Sequence, residues 1–172
     1  MPAVALVQSV VMRQAYAAVL PSEALSQLEP PALAAVWRRS LAEPPTRDHV
    51  LLVACAREQV VGFAALGPSG DPDAGPGTVE LLVLGVHPDA RRQGHGSRLL
   101  HAVADTARGR DRDELTAWLL ASDEAGGAFL RAAGFGPDGA SRSRVVSPDG
   151  TTVTEVRLVA RLGEPPDAAE GA

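Results

Sequence analysis

Gly94 and Gly96 stand two residues apart behind the arginine pair Arg91 and Arg92, in the stretch Arg91-Arg92-Gln93-Gly94-His95-Gly96-Ser97-Arg98-Leu99-Leu100. An apolar run, Thr78–Val86, precedes them and closes at Val86-His87-Pro88. A strand feeding a glycine-rich turn that opens a helix presents consecutive backbone N–H groups at the helix's positive end, which suits a pyrophosphate. The two glycines let the main chain approach phosphates without a Cβ in the way. Arg91 and Arg92 can add charge-assisted hydrogen bonds. A P-loop would need a lysine behind its last glycine, and the chain contains no lysine at all. A dinucleotide fingerprint would need a third glycine where Arg98-Leu99 stands. What the residues fit is Arg-x-x-Gly-x-Gly behind a strand that ends in Val-x-Pro.

The other reactive residue types are sparse. All 16 basic residues are arginine, so no lysine is available for a Schiff base or as a general base. The single cysteine, Cys55, excludes an intramolecular disulfide, and its apolar run predicts buried packing. His49 and His101 lack companions at metal-ligand spacing, and no metal is expected. His87 and His95 flank the loop and read as surface histidines. Trp37 and Trp118 read as core or pocket wall.

These residues must be positioned by an ordinary globular chain. The length of 172 residues, 45% hydrophobic and 22% charged, predicts one domain over residues 1–163 with an acidic, proline-rich tail over 164–172 that frays. A net charge of −5 argues against a general nucleic-acid binder. The apolar runs are too short to cross a bilayer, and the start lacks the pattern of a signal peptide. A cytoplasmic location with no membrane partner is expected.

Proline and glycine punctuate the elements. A helix over 7–20 stops at Pro21, Ser22 caps a short second helix, and a third runs over 31–41 with Leu33, Val36, Trp37 and Leu41 at helical spacing. Strands over 49–56 and 60–66 form a hairpin of two buried strands, residues 67–77 a loop, and Thr78–Val86 a third strand. A helix over 94–107 carries the stripe Leu99, Leu100, Val103, Ala104 and Ala107. Then come a strand over 115–121, a helix over 125–133 closed by Gly134, and strands over 141–146 and 152–162 joined at Pro148-Asp149-Gly150. The order ααα-βββ-α-β-α-ββ predicts an α/β domain of the α+β type, with a mixed, mostly antiparallel central sheet flanked by helices.

The segment from Val86 to Leu100 resembles the acetyl-CoA-binding motif of the GCN5-related N-acetyltransferase (GNAT) superfamily. A second match follows: the strand over 115–121, then Asp123 through Phe129-Leu130-Arg131-Ala132-Ala133-Gly134-Phe135, similar to the family's strand and helix ending in Gly-Phe. Ala15-Tyr16 and Leu20-Pro21 resemble the end of its first helix. The resemblance implies acetyl-CoA as co-substrate and an amine of a small molecule or peptide as acceptor. It implies main-chain contacts from Leu84 and Val86 to the pantetheine arm, in a splay between strands 78–86 and 115–121. Arg91, Arg92, Gln93, Gly94, His95, Gly96 and Ser97 would hold the pyrophosphate, with Asp123 and Phe129 beside the cofactor. Homodimers are frequent in the family, and this chain is a candidate for one.

Within that reading Glu80 is the candidate base, through a water, because it is the only ionisable residue of its strand. The alternative is a solvent-facing strand residue. Alternation places Glu80 on the face of Leu82, Leu84 and Val86 unless a bulge intervenes. The Val86 N–H could stabilise an oxyanion. Three departures from the family pattern stand out. Only Met1–Ala5 is available for its first strand, Asp123 replaces a frequent asparagine, and Leu130 replaces the tyrosine that protonates the leaving thiolate. A thiol pKa near 8.5 makes release as thiolate at neutral pH cost only about 2 kcal/mol. A non-catalytic acyl-CoA-binding or regulatory module is therefore the second reading, and a domain for another nucleotide the third.

Overall fold

The computed structural model describes residues 1–163, and the tail assigned to 164–172 lies outside them. Helix α1 (Pro2–Tyr16) begins at once, with Pro2 at its first turn, where a missing N–H costs nothing. Residues Met1–Ala5 therefore form no strand. Val4 and Val7 pack instead against Phe63 of the sheet, and burying such a side chain is worth about 1.5–3 kcal/mol. The helix ends at Tyr16, earlier than residue 20, where the Val19 and Leu20 amides tighten onto the Tyr16 carbonyl ahead of Pro21. Ser22 is the first helical residue of α2 (Ser22–Ser26), and Pro21, not Ser22, holds the N-cap position. Helix α3 (Pro30–Ala42) lies on α1, tied by the Trp37 indole N–H donating to Gln8 Oε1 at 2.6 Å.

Strands β1 (Val50–Ala56), β2 (Gln59–Pro68) and β3 (Thr78–Val86) form an antiparallel meander. A 3₁₀ turn (Pro88–Ala90) and α4 (His95–Arg108) cross over to β4 (Glu114–Leu120), and α5 (Glu124–Ala132) leads to β5 (Gly136–Val145) and β6 (Thr152–Arg161). The sheet order is β1-β2-β3-β4-β6-β5, with β3 and β4 the parallel pair. That is the mixed, mostly antiparallel sheet the element order predicts. A parallel pair needs a crossover, and α4 supplies it.

The two faces bury different sets. Leu99, Leu100, Val103 and Ala107 of α4 pack with Leu66, Val79, Leu81, Leu115 and Leu158 on one face; Phe63 meets α1 on the other. β1 is an edge strand whose helix cover stops near Leu51, so Val53 and Cys55 are exposed, against the expectation of a buried cysteine and a fully buried hairpin. β5 starts earlier than residue 141: a bulge between Pro137 and Ser141 keeps the strand paired through a Gly-Pro-Asp-Gly sequence that reads as a turn. The β5–β6 turn has Gly150 at φ +86°, and Asp149 Oδ1 accepts from the Thr151 N–H at 2.9 Å.

Candidate active site

The loop between β3 and α4 carries the first half of the site. Ala90 N–H bonds the His87 carbonyl and Arg91 N–H the Pro88 carbonyl; the next main-chain donor with a partner is Arg98, to the Gly94 carbonyl at 3.0 Å. Among the described residues the amides of Arg92, Gln93, Gly94, His95, Gly96 and Ser97 have no protein acceptor. Two left-handed residues shape the run, Arg92 at φ +62° and Gly94 at φ +81°. Such a sequence curls N–H groups into an anion-binding concavity at a helix N-terminus. The loop's other groups hold it open: Gln93 Nε2 donates to the Asp89 carbonyl at 3.1 Å, and Arg98 Nη2 to the Gln93 carbonyl at 3.2 Å.

Arg91, Arg92 and Gln93 are exposed, but His95 is buried, which corrects its reading as a surface histidine. The first turn of α4 is pressed against its neighbours: a Cβ on Gly96 would stand 3.4 Å from Phe129 Cζ and 3.8 Å from Val86 Cγ2. Gly96 is thus the close-approach glycine and Gly94 the conformational one. His87 accepts from the Asp89 N–H through Nδ1 at 3.4 Å.

The second half is a gap in the sheet. β3 pairs with β4 only through Thr78, Val79 and Glu80. Beyond that the strands have no paired residues. His87 N–H donates to the Val61 carbonyl at 2.8 Å, which makes residues 83, 85 and 87 the ones that bond β2. Antiparallel pairing alternates, so Leu84 and Val86 direct their main-chain groups to the opposite edge, into the gap. Arg91 Nε takes the Val86 carbonyl at 3.1 Å, leaving its N–H directed there.

A cavity of about 630 Å³ reaches this gap, lined by Leu84 on β3 and Leu119 and Leu120 on β4, and extends beneath α1 and α3. Glu80 lines it, half-buried, on the α1 side of the sheet. The alternation that would place Glu80 with Leu84 and Val86 fails, because β3 carries one extra residue, Leu82, between Leu66↔Leu81 and Ala65↔Val83. Val79 and Leu81 before the bulge, and Leu84 and Val86 after it, all pack toward α4. Burial pushes the Glu80 carboxyl above its ordinary range and nearby Asp71 adds to this, while Arg142 and the Gly70 N–H oppose it.

Asp123 lines the cavity and caps α5, its Oδ1 accepting from the Gly126 N–H at 2.9 Å. Phe129 is half-buried beside Gly96, and Leu130 is core, 4% exposed. Sequence reasoning did not single out four residues that shape the site. Arg98 falls one helical turn after Gly94, a spacing that could have pointed to it. Arg142, Glu155 and Arg157 come from strands distant in sequence, and no local signal marks them. Glu155, 5% exposed, pairs with Arg142 Nε and Arg144 Nη2, both at 2.7 Å. Arg157 binds Asp71, Asp73 and Asp138, and so fastens the loop of residues 69–77 onto β6.

Residues 14–135 match the Acetyltransferase (GNAT) family. Among solved structures, the PaiA N-acetyltransferase of Thermoplasma acidophilum in complex with coenzyme A superposes with a TM-score of 0.65 at 18% identity, over 91% of this chain and 89% of that one. The protein yncA of Salmonella typhimurium, solved with acetyl-CoA, gives 0.65 at 22% identity over 97% and 93%. Ribosomal-protein-alanine N-acetyltransferase of Brucella melitensis gives 0.64 at 24% identity over 94% and 96%. No curated protein matches the chain by sequence.

Proposed function

The chain belongs to the acetyltransferase (GNAT) family, and on that premise we propose that it transfers an acetyl group from acetyl-CoA to a primary amine of a small molecule or peptide. The observation that carries the reading is the run of six unpartnered amides from Arg92 to Ser97, beside a strand edge where Leu84 and Val86 turn their main-chain groups outward. In this reading the amides and Arg92 hold the pyrophosphate, and the β3–β4 gap takes the pantetheine arm with Phe129 near it. Bound acetyl-CoA supplies the activated acyl carbon. The amine nitrogen bonds to that carbon, the C–S bond breaks, and the second proton that the nitrogen sheds as the amide forms passes through solvent to the departing CoA thiolate. Glu80 receives the proton of the attacking ammonium, directly or through a water; its raised affinity for a proton suits that task. The Val86 N–H faces the gap where an acyl oxygen would need a donor. The setting we assign is cytoplasmic, with neither metal nor nucleic acid as partner, and a homodimer belongs to the same reading.

One observation favours a second reading. Leu130 is packed into the core, so the position that holds a proton-donating tyrosine in many relatives offers none. A non-catalytic acyl-CoA-binding module would show the same loop and gap. Calorimetry with acetyl-CoA, ATP and NAD, followed by CoA release across an amine panel, separates the possibilities. Acetyl-CoA binding with turnover supports the transferase, and binding without turnover on any amine supports the module. Preference for ATP or NAD overturns both.

A further inference from the structure

The acceptor side of the cavity brings two arginines, Arg142 and Arg144, together with the carboxyls of Glu80, Asp123 and Glu155. Glu155 is buried beneath Arg142 and Arg144, and each of its oxygens is taken by one of them: Oε2 by Arg142 Nε and Oε1 by Arg144 Nη2. Two guanidinium groups therefore share one carboxylate. Arg144 also donates to the Tyr16 hydroxyl at 2.5 Å, which ties the end of α1 to β5. Arg142 differs. Its Nε is fixed by Glu155, its Cζ lies over the Trp118 ring 4.2 Å from the centroid, and among the described residues Nη1 and Nη2 have no partner. All these residues line the cavity that contains Glu80, and the charge on Arg142 is felt at the Glu80 carboxyl.

A guanidinium held by a carboxylate at Nε and by an indole against its Cζ is pre-organised, with its Nη edge left as a fork. That fork matches a carboxylate in two parallel hydrogen bonds. The wall that α1 and α3 form is mostly apolar, with Met12 and Tyr16 from α1 and Leu33, Trp37 and Leu41 from α3, and Leu82 from the bulge, 47% exposed, lines the cavity as well. Leu82 is a large apolar side chain left at the mouth of the cavity, where an apolar ligand would cover it.

We propose that the acceptor is an amine that also bears a carboxylate, an amino acid with an apolar side chain, whose carboxylate docks on the Nη edge of Arg142 while its amine faces Glu80. This rests on the acetyl-transfer reading above. The apolar side chain lies along the α1–α3 wall. Acylation of the amine follows the balance given above, with the carboxylate unchanged.

The test uses the full chain and matched acceptors: leucine, leucinamide and 3-methylbutylamine, then phenylalanine, phenylalaninamide and 2-phenylethylamine. CoA release is read as kcat/KM. The free acids should exceed their amides and amines by about tenfold to a hundredfold, the range a charge-assisted hydrogen-bond pair supplies. Arg142→Gln should bring the acid-to-amide ratio close to one, mainly through KM, and Arg142→Lys should restore only part of it. Amides or amines used as well as the acids would overturn the proposal, as would a ratio unmoved in Arg142→Gln. Calorimetry of leucine into the CoA-bound protein gives a readout independent of turnover; an absence of binding there also overturns it. Failure of acetyl-CoA itself to bind would instead defeat the reading of the loop. Binding of acetyl-CoA with every acceptor rejected would mark the non-catalytic module.

Discussion

Glu80 and Val86 lie on opposite faces of β3, because the extra residue Leu82 inverts the strand's alternation between them. A regular strand would have put both on the same face. The inversion lets Val86 anchor its side chain in the core while its amide faces the gap, and it brings Glu80 into the cavity beneath α1.

Replacing Glu80 by glutamine should lower kcat by about 10²–10⁴-fold if this carboxylate takes the amine's proton. Equal turnover of the two proteins would remove Glu80 as the base. A group that must be deprotonated to act, with its pKa raised by burial, loses activity as pH falls through that raised value. The acid limb of kcat/KM should therefore sit above the ordinary carboxylate range. Asp71→Asn should move it down, since Asp71 is among the causes that raise it.

The same shift sets the sign of a stability effect. A carboxyl that holds its proton more tightly folded than unfolded favours the folded state at low pH. That contribution is lost as pH rises from the ordinary glutamate range through the raised folded value. At neutral pH Glu80→Gln should be more stable than the wild type, by thermal melting. A lower Tm would show that the carboxylate is stabilised in the fold.

Gly94→Val should weaken acetyl-CoA binding by tenfold or more. A Cβ there has room, since only the Arg98 side chain comes near, at 3.5 Å. The constraint is φ +81°, which costs a residue with a Cβ about 1–2 kcal/mol and turns the run of amides. Calorimetry against a variant with unchanged circular dichroism measures the effect. Unchanged affinity would move the phosphate site elsewhere.

Arg157→Met should cost about 3 kcal/mol, because it removes the counter-charge of Asp71, which is as buried as the arginine it pairs with. The Trp118 indole N–H, which donates to the same Asp71 oxygen at 3.1 Å, would remain as its partner. Chemical denaturation measures the loss. KM for the acceptor should rise as well, since the freed loop of residues 69–77 adjoins Glu80.

Leu130→Tyr should lower stability by about 1–3 kcal/mol, the usual result of enlarging a packed core residue. A variant with unchanged Tm and a higher kcat would show that this position does open toward the thioester.

Local signals carried the elements and the phosphate loop. Thr78–Val86 was bounded by its own apolar run and Pro88, α4 by its stripe, and the loop by arginine and glycine spacing. Residues whose role depends on distant strands were not legible. Arg142 gains meaning only when β5 pairs with β6 and sets Glu155 opposite it. Arg157 reaches three carboxylates, two on the loop of residues 69–77 and one at the β5 bulge. The start of β5 was hidden by turn-forming residues that the bulge accommodates, and the exposure of Cys55 follows from where β1 ends up in the sheet, not from its own sequence.

Only three residue pairs stitch β3 to β4. The sheet is thus two three-stranded halves, β1-β2-β3 and β4-β6-β5, that share a backbone seam at one end and separate at the other. A molecule that threads the separated end and bonds both edges behaves as a seventh strand. Hydrogen-exchange protection should therefore spread along both edges together when it arrives, and the two halves should come apart as one unit only while it stays.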